Sequence, residues 1–157
     1  IISTNYIVEE EGISYPVFGF YYYDYYEINE ENVDPKYNLN KSSTGGPSGG
    51  LMQTLAIYNA LTEFDYTLGL KIAGTGTIEA DGTVGAIGGM YSKIYTAYYS
   101  DAKIFFVPYY ESDTSETNYQ EALRAYKDLG SPEDFKIVPV KNIKEAIDYL
   151  LSFGGTK

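Results

Sequence analysis

Few residues of this chain could do chemistry, and two of them sit in unusual company. Ser48 lies in the run Gly45-Gly46-Pro47-Ser48-Gly49-Gly50-Leu51, and Lys93 closes the run Gly88-Gly89-Met90-Tyr91-Ser92-Lys93. The sequence contains no histidine and no cysteine. That removes thiolate nucleophiles, disulfides, zinc sites built on imidazole, and every catalytic set with a histidine base. A serine nucleophile here must take its base from a lysine, a carboxylate or a terminal amine. The glycines around Ser48 let a substrate backbone come close. They also let backbone N–H groups point at a developing oxyanion, a task expected of the turn at Pro47 and Gly49. The same pattern fits a helix N-cap serine in a glycine-rich loop, so both readings stand at this point. A phosphate loop fits poorly, because no Gly-Lys-Ser/Thr follows.

Lys93 also has two readings. A helix is predicted from about Met90 to Ser100, with an apolar stripe at Met90, Ile94, Ala97 and Tyr98. Lys93 comes three residues after Met90 and four before Ala97, which puts it on the inward side. Partial burial there would lower its pKa from about 10.4 and let the amine accept a proton, with activity rising as pH rises. The alternative is a lysine whose stem packs while its amine reaches water.

These residues must be positioned by the elements around them. Apolar residues lie all round the segment from Ser48 to about Glu63, which predicts a buried helix beginning at Pro47-Ser48. Its N-terminus would turn backbone N–H groups and a positive dipole end towards Ser48. The run from Tyr66 to Ile78 reads as a strand, and Asp81-Gly82 as the turn of a hairpin returning through Thr83 to Ile87. A buried strand is predicted at Lys103–Pro108 and another strand at Phe135–Val140. Asn118 with Glu121 resembles a capping box for a helix ending at Gly130, and Asn142 with Glu145 caps a last helix.

Ahead of the glycine turn, Tyr6-Ile7-Val8 is a short strand candidate, and Tyr15 to Ile28 reads as a longer aromatic strand or hairpin. That aromatic stretch fits a strand buried on both faces, or a tyrosine platform for ligand stacking. Asn29 to Thr44 is polar, carries the Asp34-Pro35 turn signal, and reads as a loop. The expected architecture is therefore α+β with a mixed sheet, an aromatic β-rich N-terminal part followed by β-α-β-α. One domain is expected over residues 1–157, with 1–14 as a linker or the end of an upstream domain. The start at Ile1, without Met, leaves room for such a segment.

Composition narrows the partners. A formal charge of -11 and the lack of basic clusters speak against nucleic acid. Hydrophobic content of 44% is enough for a packed core. No apolar run reaches the length of a bilayer span. No cofactor is expected.

The spaced motifs together carry a resemblance. Gly46-Pro47-Ser48-Gly49-Gly50-Leu51 resembles the Gly-Pro-Ser-Ala-Gly nucleophile turn of the Lon peptidase family. Thr75-Gly76-Thr77-Ile78, Gly82-Thr83-Val84 and Ile87-Gly88-Gly89-Met90-Tyr91-Ser92-Lys93 are similar to that family's Thr-Gly-x-Ile, Gly-x-Val and Gly-Gly-x-x-x-Lys series. The likeness covers roughly residues 17–150. It implies a Ser-Lys dyad with Ser48 as nucleophile and Lys93 as general base, and Thr75 as the threonine whose hydroxyl supports the lysine. The variant most similar is the ATP-independent, membrane-associated one, in which a PDZ domain precedes the peptidase domain. The resemblance thus implies an endopeptidase acting on unfolded or extended polypeptides without ATP. It further implies an upstream PDZ domain and membrane anchor in the full-length protein, and an extracytoplasmic site, with a cytoplasmic one as the alternative. A homo-oligomer is left open. Gly49 stands where alanine is usual, and Gly45 where ATP-dependent members carry an acidic residue. The competing expectation is a catalytically silent relative that binds peptides or mediates assembly.

Overall fold

A computed structural model describes residues 6–10, 13–17, 46–112 and 115–153. The chain divides into two units, Ile1–Asn38 and Leu39–Lys157. In the first, strand β1 (Tyr6–Glu10) pairs antiparallel with β2 (Ile13–Val17), Tyr6 opposite Val17 and Glu10 opposite Ile13. The strand expected at Tyr6-Ile7-Val8 is thus present and longer. The strand expected from Tyr15 to Ile28 is described only to Val17. The rest of it and the loop expected at Asn29 to Thr44 lie outside the described residues.

The second unit begins with a single 3-10 turn, Pro47–Gly49, which runs directly into helix α1 (Gly50–Leu61). There follow β3 (Ile72–Gly74), β4 (Thr77–Ile78), β5 (Val84–Gly85), α2 (Met90–Tyr99), β6 (Ile104–Pro108), α3 (Asn118–Asp128), β7 (Lys136–Val140) and α4 (Ile143–Phe153). Strands β3, β6 and β7 form a parallel sheet in that order, with Ile72 opposite Ile104 and Ile104 opposite Lys136. Strands β4 and β5 make a small antiparallel hairpin. The fold is α+β with parallel and antiparallel pairing, as expected.

Strand β6 is the centre of this unit, and its sequence explains why. Ile104-Phe105-Phe106-Val107-Pro108 is apolar throughout and buried throughout, as a parallel strand covered on both faces must be. Side chains alternate across the pleat. Ile104 and Phe106 join Leu51, Leu55, Ala146 and Leu150 of α1 and α4 in one core cluster. Phe105 and Val107 join Met90, Ile94, Ala97, Ala122 and Ala125 of α2 and α3 in the other. The sheet therefore lies between two helical layers, and α1 and α2, which carry the ends of interest, sit on opposite faces.

Three sequence expectations are corrected here. The strand expected from Tyr66 to Ile78 is two strands in two sheets. The chain leaves the parallel sheet at Thr75-Gly76, where Gly76 has φ +153°. Helix α1 is not buried all round. Leu51 and Leu55 are buried, whereas Ala56, Tyr58, Ala60 and Leu61 are exposed, because the sheet meets only one side of the helix. The capping box of α3 is formed by Thr117 and Gln120, not by Asn118 and Glu121. Thr117 Oγ1 accepts the Gln120 N–H at 3.3 Å, and Gln120 Oε1 accepts the Thr117 N–H at 2.8 Å. The cap expected for α4 is in place, with Asn142 Oδ1 accepting the Glu145 N–H at 3.0 Å.

Candidate active site

The Ser48 turn is held from outside rather than by its own side chains. No side chain caps either the 3-10 turn or α1. Instead the Ser48 carbonyl accepts two hydrogen bonds from the segment that follows β3, the Gly76 N–H at 2.9 Å and the Thr75 hydroxyl at 2.9 Å. The exchange is reciprocal, since the Leu51 N–H donates to the Gly76 carbonyl at 3.1 Å. One of the free N–H groups of the first turn of α1 is satisfied in this way. Gly76 is required at this contact. Its φ lies in the region that favours glycine, and a Cβ there would come within 2.5 Å of Val84 Cγ1. The Thr75 N–H meanwhile extends the β3–β6 ladder by donating to the Phe106 carbonyl at 3.1 Å. The Ser48 turn is thus fastened to the central strand through a single buried residue, Thr75.

Lys93 arrives by a different route. Strand β5 ends at Gly85, and the chain bends at Gly88-Gly89, with Gly89 at φ +68°, before entering α2. Met90, Ile94 and Ala97 are buried against the sheet as predicted, and Lys93 is half-buried beside them. Its amine donates to the Gly88 carbonyl at 3.0 Å.

Both residues face one open cleft of about 420 Å³ between the Ser48 turn, β3, β6 and α2. Its other walls are mostly small, among them Gly49, Ala73, Gly74, Thr96 and Ala97. Among the described residues lining this cleft, Lys93 alone carries an ionisable side chain. Of the residues expected at the site, Ser48, Gly49, Thr75 and Lys93 all line the cleft, while Pro47 is exposed at the head of the turn and is not part of the lining.

The connection expected between Thr75 and Lys93 differs. Among the described residues no hydrogen bond joins the two. Thr75 donates to the Ser48 carbonyl, and Lys93 donates to that of Gly88. Nor does a hydrogen bond join Ser48 to Lys93 directly. The physical reason is the position of Thr75 at the end of β3, which aims its hydroxyl at the incoming Ser48 turn. The part played by Gly88 leaves no mark in residue type, because it is a backbone carbonyl that receives the lysine.

Helix α2 is tied to α3 along its outer edge. The Tyr91 hydroxyl donates to Asp128 Oδ2 at 2.8 Å and lies 3.2 Å from that of Tyr95. The Tyr95 hydroxyl, and after it the Asp128 carboxylate, push the ionisation of Tyr91 well above that of an ordinary tyrosine. Among the described residues no cluster of three or more Asp or Glu side chains is arranged to hold a metal ion. No helix among them is long and apolar enough to cross a membrane.

Comparison with known proteins places the chain in a family. No curated protein sequence matches the chain. The family described as the Lon protease (S16) C-terminal proteolytic domain matches over residues 39–152. That span holds the Ser48 turn, the three-stranded parallel sheet and helices α1 to α3 entire. The chain therefore belongs to the Lon protease proteolytic-domain family, a family of serine peptidases.

Proposed function

We propose that this domain hydrolyses peptide bonds with Ser48 as nucleophile and Lys93 as general base, and that it does so without ATP. The observation that carries the reading is the shared cleft. Ser48 and Lys93 come from opposite faces of the sheet, yet both line it, and among the described lining residues no other side chain carries a basic nitrogen or a carboxylate. A sequence without histidine leaves the usual serine base unfilled. A neutral lysine amine keeps two N–H bonds and one lone pair. With one N–H engaged by Gly88, the lone pair remains to take a proton.

The reaction then balances as two acyl transfers. Ser48 Oγ attacks the substrate carbonyl carbon as its proton passes to Lys93 Nζ. The developing oxyanion meets the Gly49 turn and the positive dipole end of α1, whose Gly50 and Leu51 N–H groups are already engaged by the Pro47 and Gly76 carbonyls. The lysine returns the proton to the leaving amine as the C–N bond breaks. Water, deprotonated by the same lysine, then hydrolyses the ester and restores Ser48.

The cleft is open and its walls are small, which suits an extended polypeptide rather than a folded one. Substrates in this reading are loops, unfolded tails or short peptides. Such a polypeptide could pair by edge addition with the segment Tyr15 to Ile28, which is described only to Val17, or with Asn38 to Thr44, which lies outside the described residues. An upstream PDZ domain, a membrane anchor and an extracytoplasmic location belong to the same reading. They rest on the likeness of Ile72 to Ile78 to the membrane-associated variant.

The test is hydrolysis of an unstructured polypeptide, with and without ATP and magnesium. Wild type is expected to cleave equally in both. Ser48→Ala and Lys93→Met should each lose about 1000-fold or more while remaining folded. A serine-directed phosphonate probe should label wild type and not Ser48→Ala. Cleavage that requires ATP, or that survives either substitution, would overturn the proposal. Binding of the polypeptide without cleavage would instead support a silent peptide-binding module.

A further inference from the structure

We propose that Asn118 and Glu121, on the first turn of α3, are positioning residues for Lys93. This rests on the reading of Lys93 as the base. The capping box resemblance would have spent both side chains on their own helix, but Thr117 and Gln120 do that work. Asn118 and Glu121 are thereby freed, and both reach across to the bend that launches α2.

Asn118 grips the near side of the bend. Its Oδ1 accepts the Ile87 N–H at 2.9 Å, and its Nδ2 donates to the Ile87 carbonyl at 2.8 Å. A primary amide used in this way stands in for the neighbouring strand that Ile87 lacks. Asn118 is buried, so these bonds are shielded from competing water. Glu121 grips the far side, its Oε1 accepting the Tyr91 N–H at 3.0 Å. That N–H belongs to the first turn of α2, whose N-cap is Gly89 and offers no side chain.

Between the two grips lie Gly88 and Gly89. Gly88 has open space where a side chain would be, so the bend has no packing of its own to fix it. Two glycines in series are the most mobile linkage a chain can have. Yet the Lys93 amine donates to Gly88, and Lys93 itself is one turn into α2. The amine therefore moves with the bend, and the bend is held by α3. The holding turn is itself fixed, by the Thr117–Gln120 box and by the Asn118 N–H donating to the Tyr110 hydroxyl at 3.2 Å.

Loss of either grip lets the amine drift from its place opposite Ser48, and small displacements of a base cost rate more than they cost substrate binding. The test is steady-state hydrolysis of a fluorogenic peptide by the whole chain, reading kcat and KM separately. Glu121→Ala and Asn118→Asp should each lower kcat at least about tenfold with KM changed by less than about twofold. Glu121→Gln keeps an acceptor oxygen and should recover most of the rate. Tyr126→Phe, which removes the hydroxyl that donates to the Pro132 carbonyl at the far end of α3, should lower thermal stability and leave kcat unchanged. If Asn118→Asp does not fold, the Glu121 pair and Tyr126→Phe decide. The proposal is overturned if Glu121→Ala keeps its kcat, if Glu121→Gln is no better than Glu121→Ala, or if Tyr126→Phe loses as much rate. Hydrolysis that survives Ser48→Ala or Lys93→Met overturns the dyad instead. An inactive dyad mutant beside a fully active Glu121→Ala overturns the positioning role alone.

Discussion

The hydroxyl of Thr75 donates to the backbone carbonyl of Ser48, at 2.9 Å, across a separation of 27 residues. This bond joins the end of the central parallel sheet to the turn that presents the proposed nucleophile. Thr75 is buried, and its own N–H is already committed to Phe106 on β6. Whatever fixes β6 in the core therefore fixes the Ser48 turn as well.

Thr75→Val removes that hydroxyl at nearly constant volume. The Ser48 carbonyl keeps the Gly76 N–H, so the expected loss of stability is modest, about 1 kcal/mol. The expected loss of hydrolysis is larger, about tenfold, because the turn gains freedom where orientation matters. Thr75→Ser should restore most of it. The check is peptide hydrolysis alongside denaturant unfolding of the three proteins. Unchanged hydrolysis in Thr75→Val would show that the bond does not position Ser48.

Gly76→Ala meets two obstacles at once, a φ of +153° and a Cβ placed 2.5 Å from Val84 Cγ1. The backbone strain has no side-chain remedy, and the clash is relieved only if Val84 shifts. The expected destabilisation is about 1–3 kcal/mol, with hydrolysis lost in step. Thermal unfolding and activity measure the two effects. The comparison is Gly88→Ala, where open space receives the methyl group and stability should change far less.

The pair Lys103–Asp134, at 2.7 Å, makes a pH prediction. Its partners lie just outside β6 and β7, and both are substantially exposed. The hydrogen bond from Lys103 and its positive charge hold the Asp134 carboxyl below the usual carboxylate range. A depressed folded-state value gives stability that is present above the unfolded value, about 3.9, and is lost as pH falls through the folded value. The Lys103 amine is raised, first by the bond to Asp134. Its share is present below the unfolded value, about 10.4, and is lost as pH rises through the folded one. Asp134→Asn should therefore lower stability slightly across neutral pH, and the difference should vanish in acid and shrink in salt. A difference that persists under both conditions would point to packing instead of charge. Urea titrations at several pH values make the measurement.

Much of this domain was legible in its residues, because local signals governed it. The even apolarity of Ile104 to Pro108 marked a strand covered on both faces, and the structure covers it with α1 and α4 on one side and α2 and α3 on the other. Asp81-Gly82 marked the hairpin between β4 and β5, and Gly82 has the positive φ such a turn uses. The stripe at Met90, Ile94 and Ala97 put Lys93 beside the buried side of α2. The spaced glycine motifs pointed to the Lon family, whose proteolytic domain matches residues 39–152.

What failed was mostly the choice of partner. Asn118 with Glu121 and Thr117 with Gln120 are overlapping cap patterns one residue apart, and Thr117-Asn118-Tyr119-Gln120 carries the Ser/Thr-x-x-Glu/Gln form. Choosing between them required knowing that Ile87 and Tyr91 wait on the other side with unpaired backbone groups. The unbroken strand from Tyr66 to Ile78 failed similarly. Threonine and glycine at 75–76 suit an extended chain, and only the arrival of the Ser48 turn makes the chain leave one sheet for another there.

The sequence by itself determined that these 157 residues offer Ser48 no histidine, that the core runs through 104–108, and which family the chain joins. These follow from residue identity and short-range periodicity, which no partner can alter. Tertiary structure alone decided that Ser48 and Lys93 line one cleft, that Thr75 serves the serine turn, and that Asn118 and Glu121 hold the bend before Lys93. Each of these is a hydrogen bond or a shared surface between segments far apart in the chain. A side chain with several donors and acceptors can satisfy them in many ways, and only the packed fold selects one.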